Sequence, residues 1–278
     1  MNENINELIR LALKEDLNDQ GDITSLAIFG SQEDEFILIS KDNGVLCGMD
    51  IFTKVFKFID SKIKVETYFY DGDDIAYGNA IAKISGRVTS ILQAERIAIN
   101  FISYLCAIAT KTSLFVKEAN GAVKILDTRK TLPGYRMLAK YAVKCGGGEN
   151  HRIGLFDMVL IKDNHIDASG GITNAVTKVR QKYGNKFKIE VETRNLDEVR
   201  EALSLDIDII MLDNMSLDMM SEAVKIISKK VFVEASGNMS FQRIKEVANC
   251  GIDAISFGEL THCVKAFDFS LKKEFILI

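Results

Sequence analysis

The chain has 278 residues, 47% of them apolar, and a formal net charge of -4. That length allows one large or two ordinary domains with a core of normal size, and the acidic balance excludes a general nucleic-acid surface, which needs basic excess on one face. Five cysteines without a CxxC pair exclude a disulfide framework. With no charged-then-apolar leader before Ile5 and no charge-free apolar run long enough for a bilayer, the expectation is a cytoplasmic protein with no membrane and no nucleic-acid partner.

Ile5, Leu8, Ile9, Ala12 and Leu13 recur at helical spacing, so an amphipathic helix opens the chain and "NDQGD" ends it. Between 35 and 88 the period shortens. "EFILIS", "GVLCG", "KVETYFY" and "AIAKISGRV", cut by "KDNG", "DGDD" and "YGN", predict a small sheet of antiparallel strands. Residues 89–119 lack Gly and Pro and are apolar at three- and four-residue spacing, which predicts one long helix or a kinked pair.

Six short aliphatic runs follow: "AVKILD", "FDMVLIKD", "KIEVE", "IDIIMLD", "VFVEAS" and "IDAISFG". Helical patterns such as "LDEVREAL" and "MSEAVKII" separate most of them, so they read as parallel strands buried on both faces, in a β/α barrel short of the usual eight strands. Asp127, Lys162, Glu192, Asp213 and Glu234 end successive runs. In a barrel, charges at the C-terminal strand ends converge on one mouth, and opposite charges gathered in a cleft mark a site.

Residues 127–165 concentrate the cations, with seven Lys or Arg against four Asp or Glu and two of the three histidines. Arginine forks fit carboxylate and phosphate bidentately, and lysine acts as a point charge. Arg129, Lys130, Arg152 and Lys162 therefore predict a small polyanionic ligand with a planar acidic group. The "GGG" run 146–148 offers a backbone that can approach a ligand closely. Glu192 and Asp213 suit hydroxyl recognition or Mg²⁺ held through water and substrate phosphates, and the small residues of "EASGN" and "SFGEL" suit a phosphate site. An aldolase-type barrel with Lys162 as Schiff base is disfavoured by the neighbouring cations and Asp163.

"DTRKTLPGYRMLAKYAVKCGGGENHRIGLFDMVLIKDNHI", with "EDLNDQGDITS" before it and "EVE", "IIMLDNM", "EASG" and "FGELTH" after it, resembles the quinolinate phosphoribosyltransferase family over nearly the whole chain. The resemblance implies an N-terminal α/β sandwich domain over 1–112, with a tail, 266–278, packing back on it, and an incomplete α/β barrel over 113–265. It implies transfer of phosphoribosyl from 5-phosphoribosyl 1-pyrophosphate to quinolinate with Mg²⁺, giving nicotinate mononucleotide, pyrophosphate and CO₂ in NAD biosynthesis, by a homodimer or a trimer of dimers.

Carried over by position, Arg129, His151, Arg152 and Lys162 would form the quinolinate pocket, and Lys130 would reach the pyrophosphate. Glu192 and Asp213 would serve ribose and metal, and Ser236, Gly237 and Gly258 the 5′-phosphate. Arg96 would enter a neighbouring subunit's site, and His165 would support the "KDNH" strand end. Asn238 in place of a second glycine, Cys106-Ala107 in place of Ser-Gly, and Glu259 in place of a small residue depart from the family pattern. Glu259 is expected to point away from phosphate. A molybdenum-transport-associated paralogue, which tends to lack "LIKDNH", and a non-catalytic anion-binding barrel are the alternatives.

Overall fold

The computed structural model describes residues 2–273. The described residues form two compact units, the first made of 2–113, 132–147 and 262–273, the second of 114–131 and 148–261. The last five residues of the tail, 274–278, lie outside the described residues.

The first unit begins with α1 (Asn2–Leu17) where the apolar spacing places it, and α2 (Ile23–Ile28), whose N-cap Asp22 accepts from the Thr24 and Ser25 N–H groups. Then come β1 (Glu33–Ser40), β2 (Gly44–Val45), α3 (Met49–Ile59), β3 (Lys64–Thr67), β4 (Asp74–Ile75) and β5 (Ala80–Arg87). The strand-only expectation for 35–88 misses α3. Buried Ile51, Phe52, Val55 and Phe56 repeat at helical spacing there, and Asp71 Oδ1 caps the start by accepting from the Gly48 and Met49 N–H groups.

The long apolar segment is a single helix, α4 (Val88–Ala119), apolar enough by length and composition to cross a membrane, yet 67% of its most apolar window is buried. It is a core helix.

The second unit is built from β6 (Lys124–Leu126), β7 (Val159–Ile161), β8 (Ile189–Thr193), β9 (Ile209–Asp213), β10 (Phe232–Ser236) and β11 (Ala254–Ser256). They form one parallel sheet in the order β6-β11-β10-β9-β8-β7, the predicted six strands. In chain order the helices are α5 (Arg136–Cys145), which belongs to the first unit although it lies inside the stretch expected to be barrel, then α6 (Asp163–Ser169), α7 (Ile172–Tyr183), α8 (Leu196–Leu203), α9 (Leu217–Ile227), α10 (Ile244–Asn249) and α11 (Glu259–His262). The last strand, β12 (Phe269–Lys272), pairs antiparallel with β1 and completes the first unit's sheet, β12-β1-β5-β3.

Strand alternation divides the parallel sheet into two faces. Ile125, Ile161, Ile189, Val191, Ile210, Leu212, Val233, Ala235 and Ile255 pack into one apolar core. Their alternates, among them Glu190, Glu192, Met211, Asp213, Glu234, Ser236 and Ser256, occupy the other face.

The glycine run does not line a ligand cleft. Gly146 ends α5, and a Cβ there would stand 2.3 Å from the Ala109 carbonyl oxygen and 2.7 Å from Thr112 Cβ, while Gly147 has φ +84°. Its glycine requirement is helix packing and a left-handed turn. Gly146→Ala should therefore destabilise the chain by about 1–3 kcal/mol through overpacking. The shift of the urea unfolding midpoint measures it, and an unchanged midpoint would mean that α4 can give way.

Candidate active site

A cleft of about 600 Å³ opens in the second unit at the C-terminal ends of the strands. The structure brings Arg129, Lys130, His151, Arg152, Lys162, Glu192, Asp213, Ser236 and Gly237 together on its walls. Gly258 follows β11 outside that lining, with its carbonyl accepting from the Thr261 N–H. Arg96 lies on α4 in the first unit, at a separate cavity that it shares with Glu15, Asp16, Asn100 and Tyr104.

Each cationic segment is held by its own backbone. Thr261 Oγ1 donates to the Lys130 carbonyl at 2.7 Å, and Asp157 accepts from the Ile153 and Gly154 N–H groups at 2.6 and 2.9 Å, turning the loop that carries Arg152. Arg152 Nη1 donates to the Met158 carbonyl at 3.2 Å. Burial first, and Arg129 second, disfavour the charge of Arg152, so the pair of arginines is set to gain from an anion. Lys162 is the N-cap of α6, and His165 completes the cap, its Nδ1 accepting from the Lys162 N–H at 3.0 Å. His165 thus orients Lys162 from behind.

Lys162 Nζ stands 3.7 Å from Glu192, an ion pair rather than the apolar pocket that a Schiff-base lysine needs. Burial and then Asp213 push the Glu192 carboxyl above its ordinary range, with Lys162 opposing. Two acids sharing one wall in this way fit a hard divalent cation, which would offset their repulsion.

His151 is not a free donor. Its Nδ1 accepts from the Arg152 N–H at 2.7 Å, which puts the ring proton on Nε2, and Nε2 faces Glu190 Oε2 at 3.0 Å and Glu234 Oε2 at 3.5 Å. Its backbone N–H donates to the fully buried Asp127 at 2.8 Å. Glu190 and Glu234 are 0% and 1% exposed and lie beneath the cleft as an acidic floor; the sequence placed Glu234 among the charges at the strand ends and missed Glu190. Desolvation, then Glu190, pushes the Glu234 carboxyl up to about 8. The signal was present in "EVE" and "VEAS": two residues before Glu192 and before Ser236, an acid falls on the same strand face.

The phosphate-type loop is left-handed at Asn214, Gly237 and Asn238 (φ 55°, 80° and 47°). Asn is among the few side chains that visit this region readily, so Asn238 can replace glycine. Its Nδ2 donates to Asn214 Oδ1 at 2.8 Å, and both asparagines line the cleft. Glu259 does not line it.

Fold and site together define an incomplete α/β barrel whose mouth is built to hold small polyanions. Sequence comparison agrees. The profile described as quinolinate phosphoribosyl transferase, C-terminal domain, matches residues 108–272, and that of the N-terminal domain matches 22–106. The chain is 42% identical over 284 residues to the chloroplastic nicotinate-nucleotide pyrophosphorylase [carboxylating] of Arabidopsis thaliana, covering 95% of this chain and 81% of that one. It is 40% identical over 252 residues to the probable enzyme of that name from Bacillus subtilis, covering 90% and 87%. Among solved structures, nicotinate-nucleotide pyrophosphorylase from Francisella tularensis superposes with a TM-score of 0.94 at 42% identity, covering 98% of this chain and 96% of that one. NadC from Streptococcus pyogenes gives 0.94 at 37%, with the same coverage. The chain belongs to the quinolinate phosphoribosyl transferase family.

Glu234 makes the floor testable. Its ordinary pKa is 4.5 and its folded value about 8, so between these the folded chain keeps a proton that the unfolded chain has released. The stability that Glu234 contributes falls as pH rises through that window. Glu234→Gln keeps the size without the titration and should flatten the slope, measured by urea unfolding between the two pH values. An unaltered slope would place the proton elsewhere.

Proposed function

We propose that the protein transfers phosphoribosyl from 5-phosphoribosyl 1-pyrophosphate to quinolinate with loss of CO₂, giving nicotinate mononucleotide and pyrophosphate for NAD biosynthesis. The observation that carries this is the convergence of Arg129, Lys130, Arg152 and Lys162 on one cleft opposite Glu192 and Asp213. Quinolinate brings two adjacent carboxylates, and removing both from water without paired cations costs several kcal/mol each.

In this reading Arg129, Arg152 and Lys162 pair the carboxylates, and His151 orients the Arg152 backbone through its Nδ1 contact. Lys130 faces the pyrophosphate, Glu192 and Asp213 the ribose hydroxyls, and the Ser236–Asn238 turn with Gly258 the 5′-phosphate. Mg²⁺ suits Glu192 and Asp213, directly or through water, and when bound supplies charge neutralisation for the departing pyrophosphate. The pyridine nitrogen bonds to C1 of the ribose as the C1–O bond to pyrophosphate breaks, with Lys130 meeting the charge that develops. The ring nitrogen, now cationic, lies next to the carbon that loses CO₂ and stabilises its electron pair until a proton replaces it.

Release of CO₂ and pyrophosphate from the two substrates tests the activity, and absence of both would reject it. Nicotinic acid, lacking one carboxylate, leaves cations unpaired and should be rejected by roughly 10⁴-fold in kcat/KM. Arg152→Ala should weaken quinolinate binding by about 3–5 kcal/mol and binding of the phosphoribosyl donor less. Equal losses by calorimetry would show that the pocket is misassigned.

A homodimer, or a hexamer of three dimers, with Arg96 completing a neighbour's site is also proposed, as is a cytoplasmic setting. Glu15 and Asp16 beside Arg96 offer it an anionic environment within its own unit, so the two roles compete. Arg96→Ala and Lys162→Ala proteins, each inactive alone, should recover about one quarter of normal activity after unfolding and joint reassembly, since half the dimers are mixed and each has one intact site. No recovery despite verified subunit exchange would leave Arg96 in its own unit.

A further inference from the structure

Away from the cleft, the first unit gathers three of the five thiols around one carboxylate. Cys47, Asp71 and Cys145 each offer a ligand atom, all within 4.8 Å of one another. Cys106 backs them, its sulfur accepting from the Cys47 N–H at 3.1 Å. Cys47 and Cys106 are fully buried, and Cys145 is partly so. Asp71 is held at both oxygens: Oδ1 accepts from the Gly48 and Met49 N–H groups at 2.9 and 3.0 Å, and Oδ2 accepts the Tyr141 hydroxyl at 2.8 Å. A cavity of about 160 Å³, lined by Asp71, Tyr141, Lys54 and Leu105, runs alongside.

We propose that Cys47, Cys145 and Asp71 form a binding site for a thiophilic divalent cation of the Zn²⁺ type. Two sulfurs and one carboxylate oxygen are the ligand set that soft or borderline metals select over Mg²⁺ or Ca²⁺. Atoms within 4.8 Å of one another close on one ion by small side-chain rotations, which bring each to the roughly 2.0–2.3 Å of such metal bonds. The fourth position falls to water. Tyr141 and the α3 N–H groups act as the outer shell that orients a ligating carboxylate, and the neighbouring cavity is the route in. Binding replaces the two thiol protons, which leave to solvent, so the ion's two positive charges meet two thiolates and one carboxylate, and the site keeps the single negative charge it carried with both thiols protonated.

The site is independent of the proposed reaction and is tested on the full chain without substrates. Cys263, which is exposed, is replaced by serine to remove a competing surface thiol. The protein is kept reduced, stripped with chelator and titrated with Co²⁺, then Zn²⁺. One thiolate-bound Co²⁺ per chain is expected, read from thiolate-to-cobalt charge-transfer absorption, with displacement by Zn²⁺, proton release and a raised Tm. Cys145→Ser should abolish the absorption. Tyr141→Phe, which removes only the hydroxyl that meets Asp71 and Cys145 and so guards against a folding defect, should weaken binding roughly 10-fold. Glu192→Gln, in the second unit, should leave it unchanged. Absorption that survives Cys145→Ser, or the absence of a thiolate band at saturating Co²⁺, overturns the proposal.

Discussion

The second unit rests on one constraint, that a six-stranded parallel sheet is apolar toward its helices while three of its inner strands, β8, β9 and β10, turn ionisable side chains toward the cleft. A parallel sheet in an α/β protein is buried on both faces. Placing Glu190, Glu192, Asp213 and Glu234 on one of them is therefore expensive in desolvation. It is tolerable because the groups are arranged in depth. Glu190 and Glu234 lie deep and share their field with a histidine, whereas Glu192 and Lys162 lie nearer the mouth, where Lys162 is 48% exposed.

That depth ordering settles which charges are left for a ligand. A charged Glu234 beside a charged Glu190 would draw the arginines downward, but desolvation keeps Glu234 protonated near neutral pH, and the floor carries less negative charge than its two acids suggest. His151 is a spacer with each ring nitrogen engaged by the protein. The cations above therefore face a floor with less negative charge than the composition of the cleft implies. This is the condition for binding an acidic substrate strongly, and it arises from buried neighbours, not from more arginines.

Much of this was legible in the residues. Six aliphatic runs located the six strands because strands buried on both faces read as unbroken apolar text, and the 3.6-residue period found α1 and α4. The helix α3 was hidden because its apolar pairs fall among short runs that also alternate. The triplet 146–148 looked like a ligand loop because composition cannot tell a glycine needed for φ from one needed for space, and Gly146 meets the backbone of α4. The cationic wall was readable as charge. The depth of the acidic floor was not, because alternation puts Glu190 on the face of Glu192 but does not say that the strand carries it beneath the mouth.

The same dependence on three-dimensional context explains the departure at Asn238. Gly237 cannot carry a side chain, since a Cβ would stand 2.5 Å from the Asn214 amide and its φ is +80°. Asn214 needs that space because its Nδ2 donates to Asp213 Oδ2 at 2.6 Å, while its Oδ1 accepts from Asn238. Asn238 thus contributes more than a tolerated left-handed backbone. Its amide joins the turn after β10 to the acid that ends β9, a link a second glycine could not make. The segment proposed to hold a phosphate and the acid proposed to face the ribose are then positioned by one hydrogen-bonded chain, Asn238 to Asn214 to Asp213. A shift of the turn on binding an anion would be felt at the carboxylate without any further element moving.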